Sequence, residues 1–228
     1  MNPKLAVSMR TTSLKAKDFI DEVSTLRFGK IQVDALHSDL DQLTESGRRD
    51  LCSTLRRSGL RASGVDFFVG PKDWETHLEA TLAGFGSAIA IAGELGRVPV
   101  NICVPDREDI VEAAVWAGAE AGVLVAAHRA APLANPNIGW GLPVALLAKE
   151  ERPMRALAGA TFGPIVLRLS GEVRGKTTLE LHTETLELSE LRGVLDAMRW
   201  APSSVIDAVP QKAVEIATAW ESAGPRAY

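Results

Sequence analysis

Eight short runs of β-branched and aliphatic residues recur along the chain, each separated from the next by a helix-like stretch, and this alternation constrains the fold more than any other feature. The runs are Leu5–Met9, Lys30–Ala35, Arg61–Phe68, Val98–Val104, Val123–Ala127, Asn137–Gly141, Pro164–Leu169 and Ser204–Val209. Strands that alternate with helices build a parallel sheet with crossover helices. The punctuation agrees. Gly29, Gly59, Gly96 and Gly122 each follow a helix-like stretch and precede a strand, where a left-handed cap favours glycine. Thr44 before Glu45, Asp106 with Asp109 three residues on, and Pro210 mark helix starts.

Leu14, Phe19, Ile20 and Val23 form one apolar helical face, and Ile110, Val111, Ala114 and Val115 another, as expected of helices that cover a sheet. A length of 228 residues suits one closed α/β barrel, the (β/α)8 TIM barrel, spanning 1–228 as a single domain. The alternative is an open doubly wound sheet, which requires the segments around Gly122 and Asn137 not to be strands. The sixth unit carries the weakest signal: Asn135-Pro136-Asn137 marks a loop, and a helix from Leu142 to Lys149 has Pro143 near its start. From Ser170 to Thr185 the chain turns polar and glycine-containing, which predicts a long mobile loop over the barrel mouth.

A net charge of -4, from 25 basic and 29 acidic residues, supplies no field for a nucleic-acid backbone or an anionic membrane, so neither partner is expected. The longest apolar run, Ala80 to Gly93, falls short of the roughly 20 residues a bilayer requires. Met1 to Arg10 lacks the apolar run of a signal peptide. Cys52 and Cys103 show no paired spacing and read as reduced core thiols, so the expected location is the cytoplasm. Nothing in the sequence specifies an oligomeric state.

Two motif fragments fail on inspection. Gly175-Lys176-Thr177 ends like a phosphate-binding loop, but Ser170 stands where that motif needs glycine, and Leu179-Glu180-Leu181 alternates instead of opening a helix. Gly84-Phe85-Gly86 begins like a dinucleotide fingerprint, but Ile89 replaces the third glycine and the segment lies inside a helix, where close packing explains it. Arg48, Arg49, Arg56 and Arg57 fall on a solvated helix face with Glu45 and Asp50 interspersed. Trp74, Trp116 and Trp220 are expected to pack, whereas Trp140 is placed to stack on a ligand.

His77 and His182 fall on a helix and in the Ser170–Thr185 segment, but His37 and His128 lie at strand ends, where barrel active sites are built. They join Arg10, Asp34, Asp66, Asn101, Arg129, Arg168 and Asp207 in a set of polar residues that a closed barrel gathers at one mouth. Carboxylate, imidazole, amide and guanidinium together suit hydrogen bonding to a polyol or a small acid better than to an apolar ligand, so the expected partner is a small polar metabolite or sugar. Asp34, His37, Asp66 and His128 are the candidate catalytic groups. Asn101, His128, Arg129, Trp140, Arg168 and Asp207 are the candidate ligand-binding groups.

Ile31-Gln32-Val33-Asp34 closing a strand, a helix beginning near Thr44 to Gly47, and Leu55 to Gly59-Leu60 leading into the third strand resemble the xylose-isomerase-like barrels of sugar isomerases and epimerases. The likeness extends loosely through Ile138-Gly139-Trp140, Ile165 to Leu169 and Val205 to Asp207. The resemblance implies a divalent metal held by a glutamate after the fifth strand, an aspartate after the sixth, a histidine near the seventh and a glutamate on the eighth, polarising a carbonyl during isomerisation. This chain departs from that set. Ala126 and Ala127 stand at the first position, Pro143 at the second, and Val166, Leu167 and Arg168 at the third, leaving only Asp207. The expectation is therefore a degenerate barrel with no metal or other cofactor, a non-catalytic protein that binds a small polar metabolite or a partner, in which Arg168 replaces part of the cation's charge and binds a carboxylate or phosphate. The alternative is an active isomerase or epimerase using relocated ligands or a metal-free acid–base pair, Asp34 with His128 or Asp66 with His37.

Overall fold

In the computed structural model, which describes residues 5–26, 28–40 and 43–224, the chain closes into an eight-stranded parallel barrel. The strands are β1 (Leu5–Ser8), β2 (Lys30–Asp34), β3 (Arg61–Phe67), β4 (Val100–Ile102), β5 (Val125–His128), β6 (Gly139–Pro143) and β7 (Val166–Leu169), then β8 (Glu172–Arg174), β9 (Thr178–Leu181) and β10 (Glu184–Glu187), and β11 (Ser203–Ile206). The helices are α1 (Ala16–Thr25), α2 (Glu45–Arg57), α3 (Pro71–Thr76), α4 (Leu78–Glu94), α5 (Glu108–Glu120), α6 (Val144–Leu147), α7 (Pro153–Ala158), α8 (Leu188–Ala197) and α9 (Pro210–Ser222). All eight expected strands are present as β1 to β7 and β11. Closure comes from β11 pairing with β1, Leu5 opposite Ser204 and Val7 opposite Ile206, which removes the open-sheet alternative.

Successive side chains of a strand point to opposite faces, so each barrel strand builds two environments. Val7, Ile31, Val33, Val65, Phe67, Val100, Ile102, Leu142, Leu167 and Leu169 join the helices in one large apolar layer. The residues between them point inward. Ala6, Val166 and Val205 form a separate small cluster that serves as an apolar floor. Further along the same strands, Ser8, Gln32, Asp66, Asn101, His128 and Arg168 are buried. The barrel therefore has an apolar floor and a polar upper interior.

Local signals placed the helices well. The Thr44 side chain accepts from Gly47 N and caps α2, and Pro210 opens α9. Gly59 and Gly122 adopt φ of 70° and 64°, where a side chain would be strained. Gly84 sits against the Phe67 ring, where a Cβ would come within 3.2 Å, and Trp74 and Phe85 complete that aromatic cluster, so the Gly84-Phe85-Gly86 stretch serves packing.

Five expectations require correction. The helix expected to start at Asp106 has Arg107 at its cap, and the sixth strand begins two residues later than expected because the Asn135–Asn137 loop extends further. Trp116 does not pack but is 65% exposed. Cys52 and Cys103 are unpaired and only half-buried. The Ser170–Thr185 segment is not a loop: it contains β8 and β9 and runs into β10, an antiparallel sheet in order β10-β9-β8. Thr178 to Leu181 and Glu184 to Glu187 alternate with period two, which buries Leu179, Leu181 and Leu186 and pins the sheet. Gly175-Lys176-Thr177 is the turn between its first two strands. No helix among the described residues is long and apolar enough to cross a membrane.

The glycine contacts predict opposite outcomes on two helices. A Cβ on Gly118 would meet Val125 Cγ2 at 2.5 Å and the Val123 carbonyl at 2.7 Å, so Gly118→Ala should cost about 1–3 kcal/mol in urea unfolding. Exposed Gly86 has open space around it, and Gly86→Ala should gain about 0.5–1 kcal/mol.

Candidate functional site

The centre of the polar interior is Arg168 on β7, 3% exposed and held between two carboxylates. Its Nη1 lies 2.8 Å from Asp66 on β3 and its Nε donates to Asp207 Oδ2 at 2.6 Å. Nη2 completes a fork on Asp207 and also donates to Ser8 Oγ at 3.2 Å. Asp66 is further fixed from its neighbouring strands, since Gln32 Nε2 and Asn101 Nδ2 donate to its Oδ1 at 2.8 and 2.9 Å. Gln32 Oε1 in turn accepts from Ser63 Oγ at 2.7 Å.

Local sequence makes room for this network. The register between β2 and β3 shifts after Ile31 opposite Ala62, so that Gln32 faces Gly64 and Ser63 is the extra residue of a β-bulge. A Cβ on Gly64 would lie 2.8 Å from Gln32 Nε2 and 2.9 Å from the Pro99 carbonyl, so only glycine leaves space for the amide. Gly141 on β6 plays the same part beside His128, whose ring would lie 2.2 Å from an added Cβ.

Burial raises the Asp66 carboxyl from 3.8 to about 6, with the Asp207 charge adding to the rise and Arg168 opposing it. Burial alone would lower Arg168, but Asp66 and Asp207 outweigh it and hold the guanidinium above its ordinary value. His128 is driven well below 6.5 by burial and then by Arg168 and Arg10, so it is neutral at pH 7. At the rim, burial raises Asp34 and Cys103.

Above Arg168 the mouth is organised around Phe68. The Arg10 and Arg168 guanidiniums each lie 4.9 Å from its ring centre, and the His128 ring meets it edge-on at 5.0 Å. Neither ring nitrogen of His128 has a hydrogen-bond partner among the described residues, and the same holds for Asn101 Oδ1. Asp34 stands opposite Asp66 in register and accepts from Leu36 N at 3.1 Å.

No family model and no curated protein matches the chain by sequence. Solved structures do match by shape. A D-psicose 3-epimerase with D-tagatose from Clostridium cellulolyticum H10 superposes with a TM-score of 0.70 at 11% identity, covering 96% of each chain. A sugar phosphate isomerase/epimerase from Parabacteroides distasonis gives 0.69 at 10% identity, covering 99% of this chain and 96% of that one. A xylose isomerase domain protein from Planctomyces limnophilus gives 0.70 at 12% identity, covering 95% and 93%. The fold is that of the xylose-isomerase-like barrels.

On this xylose-isomerase-like frame, Asp34, Asp66, Asn101, His128, Arg168 and Asp207 gather at or just below the mouth, as their strand-end positions imply. Three other candidates are turned elsewhere. His37 Nε2 is tied to the Leu14 carbonyl at 2.9 Å, while Asp66 is engaged by Gln32, Asn101 and Arg168, so Asp66 and His37 form no pair. Arg129 ion-pairs with Asp106 at 3.3 Å on the exposed rim. Trp140 is 2% exposed, packed in the wall, and donates from Nε1 to the Arg129 carbonyl at 2.9 Å, because Gly141 and not Trp140 faces the interior. Arg168 directs its donors to Asp66, Asp207 and Ser8 instead of offering them to a ligand. Ser8, Gln32, Gly64, Phe68 and Gly141 escaped the sequence reading. Ser8 and Gln32 carry a legible signal, each a polar residue at an inward position of an otherwise apolar strand.

Removing Arg168 leaves two carboxylates facing each other without a cation. Arg168→Ala should cost about 3–5 kcal/mol. Low millimolar guanidinium should restore part of the melting temperature, and urea at the same concentration should not.

The two central titrations oppose each other. The folded Asp66 pKa lies above its unfolded value, so its contribution is full below about pH 4 and is lost as pH rises through about 6. The folded His128 pKa lies below its unfolded value, so its contribution is present above pH 6.5 and is lost as pH falls. Asp66→Asn removes the first alone. Unfolding free energies from urea titration should then fall more steeply from pH 6 to pH 4 than in the wild type, by about 2 kcal/mol over that interval.

Proposed function

We propose that this chain is a sugar isomerase/epimerase-like barrel that has given up the divalent-metal site and binds a small polar metabolite, a sugar or polyol derivative, at its C-terminal mouth. The observation that carries the reading is Arg168, wedged between Asp66 and Asp207 in the part of the barrel where the resemblance implies a cation. A guanidinium that forks onto one carboxylate and pairs with a second already neutralises the charge a metal would neutralise. The arrangement does not suit a divalent ion. Among the described residues no three His, Cys, Asp or Glu side chains are grouped to hold one, and the implied ligand positions carry Ala126, Ala127 and Pro143.

A neutral imidazole offers one donor and one acceptor, which complements a hydroxyl group better than an ion. His128 is such an imidazole, and Asn101 Oδ1 adds an acceptor from the neighbouring strand. The same chemistry favours, as the second reading, a metal-free acid–base enzyme in which Asp34, raised by burial, and His128 exchange a proton with a bound sugar. The net charge of -4 argues for a small-molecule partner over nucleic acid, and the two unpaired thiols argue for the cytoplasm.

Elemental analysis of the purified protein, with melting curves in manganese, magnesium, cobalt and zinc, tests the metal-free reading. The expected result is substoichiometric metal and no melting shift, because only a ligand that prefers the folded state raises the transition. A stoichiometric metal that raises melting would overturn it. Solvent deuterium incorporation into ketohexoses separates the two readings: none is expected of a binding protein, and exchange at a carbon next to the carbonyl would establish the enzyme.

A further inference from the structure

The charges around the mouth are unevenly satisfied. Arg168 directs Nε, Nη1 and Nη2 to Asp66, Asp207 and Ser8, so little of its donor capacity is left for a ligand. Arg10, in the turn just after β1, is exposed and lies over the Phe68 ring; its guanidinium forms no ion pair among the described residues, although Asp34 feels its charge. Beside the same ring lies His128, only 7% exposed, with both nitrogens unpartnered among the described residues. A buried imidazole with neither nitrogen satisfied is costly unless a ligand group or water completes it. The half-buried Phe68 meets it edge-on, and the exposed Arg10 lies over that same ring, so the two side chains stand between His128 and the mouth.

We propose that the mouth selects a hydroxy-carboxylate: a short polyhydroxylated chain bearing one carboxylate, which pairs with Arg10 while a hydroxyl of the chain is held by His128. The proposal rests on the metabolite-binding reading and sharpens it to a charge class. Arginine matches the planar carboxylate with parallel donors, and stacking on Phe68 holds its fork in place. Neutral His128 donates to one side of a hydroxyl oxygen or accepts its proton, which fixes the carbon chain relative to the carboxylate. The anion is single. A second unit of negative charge would face Asp34 and Asp207, and Arg168 is already committed to carboxylates of the protein. A phosphate ester is therefore the poorer fit.

Calorimetric titration of the full chain with matched pairs of acid and alcohol tests this: glycerate with glycerol, threonate with threitol, gluconate with sorbitol, plus glycerol 3-phosphate and propionate. At least one acid should bind ten-fold or more tightly than its alcohol and than propionate, which has the carboxylate without hydroxyls. Arg10→Gln should fold and melt close to the wild type, because Arg10 is exposed, and should abolish the preference of acid over alcohol. His128→Asn should weaken binding of the hydroxy acid while leaving that of propionate unchanged. Alcohols that bind as tightly as their acids would overturn the carboxylate assignment and leave the polyol-binding reading intact. Tighter binding of glycerol 3-phosphate, or an acid preference that survives Arg10→Gln, would overturn it in favour of another anion or another cation. Binding of none of these compounds would overturn both.

Discussion

A guanidinium buried between two carboxylates sets the terms for everything else inside this barrel. Taking Arg168 and Asp66 out of water, with Asp207 partly buried beside them, costs several kcal/mol per buried ion, and their attraction offsets that only when the remaining lone pairs and protons are also satisfied. Four strands contribute to that satisfaction. Ser8 from β1 takes one guanidinium hydrogen, Gln32 from β2 and Asn101 from β4 donate to Asp66, and β3 supplies both Asp66 and the bulge that lets Gln32 reach it. The glycine at position 64 follows from the same requirement, because a methyl group there would occupy the space of the Gln32 amide.

The apolar floor and the mouth are consequences of where this network sits. Below it, Ala6, Val166 and Val205 fill the narrow interior with small side chains that need no partners. Above it, the charge of Arg168 reaches Phe68 and His128. It lies against the ring of the first and, with burial and Arg10, keeps the second neutral. A divalent ion in the same place would have demanded free carboxylates and would have repelled the guanidinium. In the proposed metal-free reading, the guanidinium takes the place of an exchangeable cation.

Strand-end reasoning located the mouth because a parallel barrel places every strand's C-terminus on one face. Asp34, Asp66, Asn101, His128, Arg168 and Asp207 were legible on that ground alone. Orientation was not. Trp140 and Gly141 are adjacent, and which of them faces inward depends on where β6 begins, a boundary that the Asn135-Pro136-Asn137 loop obscured by two residues. His37 lies past the end of β2, where a loop and not a strand decides its direction, and it turns to the Leu14 carbonyl. The segment after β7 was misread because its polar and glycine residues were weighed above its period-two alternation, which buries one leucine after another.

The amino-acid sequence by itself determined the order of the eight barrel strands, the closed parallel architecture and the set of polar residues available at the mouth. These follow from local periodicity, capping residues and turn glycines, whose physics acts over a few residues. Only the tertiary structure decided which of those residues meet. Arg168 and Asp66 are 102 positions apart, and Arg168 and Ser8 are 160. Nothing local signals that one guanidinium will satisfy three such distant acceptors, or that among the described residues Arg10 has no ion pair and His128 no hydrogen-bond partner. Those outcomes depend on inter-strand register and on closure of the barrel, where a shift of a single residue turns a side chain from the interior to the helical layer.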